Sequence, residues 1–317
     1  MLARAEPDRG KAAVNPPSYV VLFRTHVWDD FARTMAAHLS SRVGRGDFVV
    51  LADETRQGMD VHGYAKLSHT VDFSSIGLDV NTPEREMYLW HNGDFPLYKA
   101  LVDMPRYDYY CMVEYDVMFN EFFDGVIDAL GEQRIEVVGY RLRQAPGNIA
   151  AQVKAYYRNT NSLLPCVLVA SRRAAEYLYQ QRCHIASIHA RNPEFGWPFC
   201  EGFLGAAITD RPDIAYADLG QFGDVSRYEF WPPTLYHPPL AAESKSFIHP
   251  VLDPARFVRS RVRHGADEFF VAGSPMRRDL EQVDPAVFVP ILRDFLSGRR
   301  EHDRLSQLES YARERGC

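Results

Sequence analysis

The chain has 317 residues, 46% hydrophobic and 25% charged, a globular composition long enough for a full core. A net charge of -6 and a pI near 6.0 exclude the concentrated basic footprint of a protein that coats nucleic acid. No apolar stretch reaches membrane-spanning length, and Met1 to Pro17 lacks the apolar centre of a signal peptide, so the expected location is cytoplasmic. The five cysteines are widely spaced, with no CxxC pair, which argues against a disulfide framework or a structural zinc site. Cys111 and Cys166 lie inside apolar runs, where a free thiol acts as a small hydrophobe.

After a leader over 1–17, expected to be disordered, Tyr19 to Phe23 (YVVLF) has the β-branched, wholly apolar pattern of a central strand. Asp29 to Leu39 carries helical spacing, and Phe48 to Ala52 (FVVLA) predicts a second buried strand ending at Asp53. Pro96 to Met104 predicts a helix, Tyr109 to Val113 a strand, Phe122 to Leu130 a helix stopped by Gly131, and Ile135 to Gly139 a strand. A loop is expected over Arg141 to Gly147. Leu163 to Ala170 then reads as a strand, and Ser171 as the N-cap of a helix through Leu178. Glu201 to Thr209 predicts a helix, and Tyr228 to Pro239 a Pro/aromatic loop. From Asp253 the chain is charged and helical, with amphipathic spacing over Val287 to Leu296 and Leu305 to Tyr311. The alternation predicts an α/β sheet with a helical C-terminal extension over 253–317.

The strand YDYYCMVEYD ends in Glu114 and Asp116. Side chains alternate along an extended chain, so both carboxylates are expected on one side with Tyr115 on the other. Charge at the end of a buried run needs a cation, a base or solvent. Oxygen ligands of this kind suit Mg²⁺ or Mn²⁺, whereas a polar strand end is the plain alternative. Ligands of open α/β sheets gather at the carboxyl ends of parallel strands, which singles out Arg24, Thr25 and His26 after the first strand and Asp53, Glu54 and Thr55 after the second. The guanidinium of Arg24 suits a phosphate or a base edge. Glu201, in WPFCEGFLGAAITD, is an acid among apolar and small residues at a helix start, a setting that raises a carboxyl pKa and suits a general base. Compensation of the helix dipole is the competing account.

An opening strand, a second strand ending in an acid, WHNGDFPLYKAL and the strand ending EYD together resemble a GT-A glycosyltransferase over roughly Tyr19 to Pro250. The resemblance implies a Rossmann-type mixed sheet flanked by helices and a catalytic domain over 18–252, with a donor half at about 18–140 and an acceptor half at about 141–252. It implies a metal-dependent, hexosyltransferase-like enzyme moving a sugar from a UDP- or GDP-type donor to a glycan or other hydroxyl acceptor. Glu114 and Asp116 then occupy the D-x-D place as an E-x-D variant that holds Mn²⁺ or Mg²⁺, and Glu114 also serves the donor. Arg24, Thr25, Asp53 and Thr55 become donor contacts, and Asp94 becomes either a sugar contact or the N-cap of the following helix. Glu201 becomes the base of an inverting displacement, although no residue pattern decides between inversion and retention. His249 in SFIHP is implied as a third metal ligand, with His237 in YHPP as its rival. Trp197 and Trp231, with Phe199, Tyr228 and Phe230, offer either an acceptor platform or core packing. Surface-polysaccharide assembly is the setting such enzymes suggest, with peripheral membrane contact through the C-terminal arginines set against a solvated helical face. A sugar-nucleotide nucleotidyltransferase and a non-catalytic sugar-binding relative are the alternatives. The first expects a Gly-rich phosphate loop after the opening strand, which FRTHVWDD lacks.

Overall fold

The computed structural model describes residues 15–78, 88–243 and 245–315; most of the expected leader, and Cys317, lie outside them. In chain order the elements begin β1 (Tyr19–Thr25), α1 (Asp30–Ser40), β2 (Asp47–Asp53), β3 (Ala65–His69), α2 (Tyr88–His91), α3 (Phe95–Asp103), β4 (Tyr109–Glu114), β5 (Met118–Phe119) and α4 (Phe123–Gln133). They continue with β6 (Val137–Gln144), α5 (Gly147–Val153), β7 (Asn161–Ser171), α6 (Arg172–Arg191), α7 (Cys200–Thr209), β8 (Tyr216–Asp218), β9 (Arg227–Tyr228), β10 (Thr234–Leu235), β11 (Phe247–His249) and β12 (Val251–Leu252). Four helices follow: α8 (Pro254–Gly265), α9 (Pro275–Leu280), α10 (Pro285–Gly298) and α11 (His302–Glu314).

The main sheet has seven strands in the order β3-β2-β1-β4-β7-β6-β8. Strands β3, β2, β1 and β4 run parallel, β7 is antiparallel to both its neighbours, and β8 is parallel to β6. This is the mixed α/β sheet expected, flanked by helices and followed by a helical C-terminal segment. The YVVLF run is buried on both faces because alternate residues enter different cores. Tyr19, Val21 and Phe23 pack with residues of α1 and α4, whereas Val20 and Leu22 pack with residues of α3, α6 and α7. A separate apolar cluster, from Leu252 of β12 to Ala312, is formed mainly by the C-terminal helices.

Several elements differ from their sequence pattern for physical reasons. Strand β3, AKLSH, was not predicted, because it is an edge strand in which only His69 is buried. Helix α4 runs past Gly131 to Gln133, and it is Arg134, at φ 55°, that takes the left-handed cap. Gly131 instead lies under Pro17, whose Cγ would stand 2.9 Å from an added Cβ. Where a loop was expected from Arg141, β6 continues to Gln144 through an irregularity at Arg141, φ 55°, with shifts of register against β7. Helix α6 extends well beyond Leu178 because the buried face continues through Arg182 and Ile185, and a buried arginine disguises that face in the sequence. The expected 228–239 loop carries the short strand β10, which pairs with β12.

Candidate active site

The parallel strands β1, β2 and β4 deliver Thr25, Asp53 and Glu114 to the same edge of the sheet. Arg24 and Glu114 are register partners, and the Arg24 Nη1 donates to Glu114 Oε1 at 2.7 Å while Nη2 donates to the Leu89 carbonyl at 2.7 Å. Gly93 packs close by: a Cβ there would meet Arg24 Nη1 at 3.0 Å and Cys200 Sγ at 3.3 Å, so glycine lets the HNGD loop close over the arginine.

Asp116 is not on the strand. The chain turns after Glu114, with the Val117 N–H donating to the Glu114 carbonyl at 3.0 Å and the Val251 N–H donating to the Asp116 carbonyl at 2.7 Å. The expected alternation therefore does not position this pair; the turn does. Tyr115 points away from it, edge-on to Phe31 and His26. Asp116 Oδ1 is buried without a hydrogen-bond partner and lies 3.9 Å from His249 Nε2. The other nitrogen, His249 Nδ1, stands 2.8 Å from the Glu229 carbonyl, an acceptor, so it carries a proton and Nε2 is the nitrogen turned to the carboxylate. Burial, partly offset by His249, pushes Asp116 up to about 6. An orphaned carboxylate oxygen beside a tautomer-fixed imidazole is a donor set that fits a divalent cation. Glu114 and His249 fall together with the Cys166 thiol: one ligand atom from each lies within 4.8 Å of the others. His237 is elsewhere, exposed and 3.7 Å from Glu243.

Glu201 stands in the first turn of α7 and borders a cleft of about 160 Å³ with Tyr140, Arg143, Ser162, Glu229 and Phe230. Two effects compete at its carboxyl. Burial raises the pKa, and hydrogen bonds from its own backbone N–H and the Cys200 thiol, 3.7 Å away, lower it; burial wins, with Glu114 adding to the rise. Tyr228 packs between the cleft and His249, with its ring 5.0 Å from Tyr140 and 5.4 Å from His249. Its hydroxyl is buried without a partner.

Other candidates are placed differently. Asp94 is fully buried and reaches no cleft: Arg182 Nε and Nη2 donate to its two oxygens at 2.7 and 2.9 Å, and the Tyr98 hydroxyl donates at 2.8 Å. Nor does its side chain cap α3. Thr25 is 2% exposed, and its hydroxyl is turned onto the Val27 carbonyl at 2.6 Å rather than outward. Trp197 is core, donating to Asn92 Oδ1 at 2.7 Å and lying 5.2 Å from the Arg182 guanidinium. Trp231 lies against α8, 4.4 Å from the His264 ring with Arg261 5.0 Å away, and the exposed Phe230 borders the cleft instead. Asp53 remains half-buried at its strand end, with one oxygen accepting from the Thr55 N–H at 2.9 Å and hydroxyl at 2.5 Å, so Thr55 is engaged with Asp53 itself. Glu54 is clamped by Lys66 at 2.8 Å and the Met59 N–H at 2.6 Å, and its carboxyl is held near 2, chiefly by Lys66. The residues not singled out by sequence are Arg182 and Cys166. A buried arginine carries no periodic signal, and a cysteine in an apolar run reads as packing.

No protein-family model and no curated protein matches the chain. Solved structures similar to it include three glycosyltransferases. Mouse xyloside xylosyltransferase 1, in its apo form, is 9% identical with a TM-score of 0.41, over 74% of this chain and 97% of that one. A glycosyltransferase involved in glycosylation of the major capsid of PBCV-1 is 12% identical with a TM-score of 0.37, over 84% and 98%. The galactosyltransferase LgtC, in complex with donor and acceptor sugar analogues, is 9% identical with a TM-score of 0.39, over 73% and 86%. Likeness at these scores carries no functional weight by itself; the residues of the cleft do.

Proposed function

We propose that the protein is a GT-A-type glycosyltransferase that uses a nucleotide-sugar donor and a divalent cation. The observation that carries this reading is the unpartnered, buried Asp116 oxygen facing His249 Nε2 at the edge where β1 and β4 end, beside Arg24. An isolated buried carboxylate is costly, and a cation removes that cost. Asp116, His249 and Glu114 would hold the ion, whose contribution when bound is to neutralise charge on the departing diphosphate. Arg24, already shared between Glu114 and the Leu89 carbonyl, presents a fixed guanidinium for donor phosphate or base. Asp53 is the remaining strand-end acid for the nucleoside.

Glu201 acts as the base. Its raised pKa makes it a better proton acceptor than an ordinary glutamate, and its cleft, walled by Tyr140 and Phe230, receives the acceptor hydroxyl. The reaction is an inverting displacement: the hydroxyl oxygen bonds to the anomeric carbon, its proton passes to Glu201, and the bond to the nucleoside diphosphate breaks.

A thermal-shift panel of UDP-, GDP-, CMP- and dTDP-sugars, with and without Mn²⁺, tests this. One nucleotide should stabilise the protein in a metal-dependent manner, and Asp116→Ala should lose that effect. Glu201→Gln should keep donor binding and lose transfer by about a hundredfold or more. Absence of stabilisation by any nucleotide at any metal concentration refutes the donor site, and near-normal turnover of Glu201→Gln removes the base.

A further inference from the structure

The cation site contains a group that oxygen-binding ions do not need. Cys166 lies on β7, the strand antiparallel to β4, and the pair Val113 and Val167 brings it beside Glu114. Its side chain is 6% exposed and directed at the Glu114 carboxylate. One ligand atom each from Glu114, Cys166 and His249 lies within 4.8 Å of the other two. Ligand atoms around one tetrahedral ion of zinc size stand roughly 3.5 Å apart, so side-chain adjustments of about 1 Å close this set on a metal. Nε2 is the His249 nitrogen left to face an ion, because Nδ1 is committed to the Glu229 carbonyl. The Tyr228 ring closes this side of the group, 5.4 Å from that of His249.

We propose that the Cys166 sulfur is a metal ligand, and that the centre therefore takes a zinc-type ion, Zn²⁺ or Co²⁺, in preference to Mg²⁺. The inference rests on reading this edge of the sheet as a cation site. Mg²⁺ demands a near-octahedral shell of oxygens, whereas a mixed oxygen, sulfur and imidazole set favours zinc and its neighbours in the first transition row. Ligation balances simply. The sulfur–metal bond forms as the S–H bond breaks, and the proton leaves to solvent, so one proton is released per ion from Cys166.

Titration of the metal-free full chain with Co²⁺ alone tests the assignment, because a cobalt–thiolate bond gives a near-ultraviolet charge-transfer band that oxygen and nitrogen ligands do not. The wild-type protein should show that band. Cys166→Ser should lose it and bind Co²⁺ at least about tenfold more weakly, since even partners outside the ligand shell cost a metal site about that much. In competition, Zn²⁺ should displace Co²⁺ at far lower concentration than Mg²⁺ does. Visible d–d absorption without the ultraviolet band in wild-type protein overturns the thiolate while leaving a cation site of oxygen and nitrogen ligands. No binding of Co²⁺, Zn²⁺ or Mg²⁺, alone or with nucleoside diphosphate, overturns the cation site as well. The wild-type spectrum decides the thiolate even if Cys166→Ser fails to fold.

Discussion

Asp94 and Asp116 are the same residue type with opposite fates, decided by their partners. Asp94 receives two hydrogen bonds from Arg182 and one from Tyr98, all buried, and so joins the loop before α3 to α6. Removing one side of a buried ion pair strands the other charge. Asp94→Asn should therefore cost about 3–5 kcal/mol in urea denaturation, and a loss below about 1 kcal/mol would show that the pair is not structural. Asp116 has the reverse problem: a buried oxygen with no partner. Its carboxyl, raised to about 6 by burial, keeps a proton in the folded protein at pH values where the unfolded chain, titrating near its ordinary 3.8, has lost it. The folded state thus binds more protons across that window, stability of the metal-free protein falls as pH rises through it, and the penalty is complete above about 6. Asp116→Asn removes the penalty. In EDTA it should melt higher than wild type at pH 7.5 and equally near pH 4; an equal or lower melting temperature at pH 7.5 would count against the orphaned carboxylate. Arg24, Glu114, Asp116 and Glu201 stand out in the sequence as candidates because polar groups at strand and helix ends are conspicuous, whereas His249 was implied only by the family resemblance. Thr25, Asp94 and Trp197 were equally conspicuous, but their side chains turn inward onto groups distant in sequence or onto their own turn.

At the scale of elements, helix α7 shows what small residues do. The segment CEGFLGAAIT presses onto β7 so closely that a Cβ on Gly205 would meet Ser162 Cα at 2.5 Å and the Asn161 carbonyl at 2.6 Å. Backbone cannot rotate away as a side chain can. Gly205→Ala should lose about 3 kcal/mol in chemical denaturation, and it should move Glu201, so donor affinity should hold better than turnover. A neutral substitution would mean that α7 is free to lift from the sheet. The close approach is what places Glu201 beside the cleft rather than in solvent. Strands buried on both faces and helices with apolar spacing were readable as such, as β1, β2, β4 and α7 show. The edge strand β3 and the continuation of β6 beyond Arg141 were not, since polar edges and irregular pairing have no periodic signature.

Across the whole molecule, one side chain of the C-terminal helices reaches the turn that carries Asp116. Arg256 of α8 donates to Asp29 at 2.6 Å and to Asp253 at 2.5 Å, and its guanidinium lies 5.7 Å from the Phe31 ring and 5.8 Å from that of Tyr115, the residue between Glu114 and Asp116. Arg256→Ala should lower stability by about 1–2 kcal/mol and speed amide exchange in the turn over 115–117. Unchanged exchange there would show that the helices do not brace the turn. The sequence by itself determined the α/β class, the burial of the central strands, the helical C-terminal segment and the acidic end of β4, because hydrophobic periodicity and the cost of buried charge act locally. Only the tertiary structure decided which polar side chains meet. His249 is 133 residues from Asp116 along the chain, yet its ring nitrogen lies 3.9 Å from that carboxylate, and Cys166 joins Glu114 and His249 because β7 inserts antiparallel beside β4. Such proximity is set by the order of strands in the sheet, and no local pattern encodes that order.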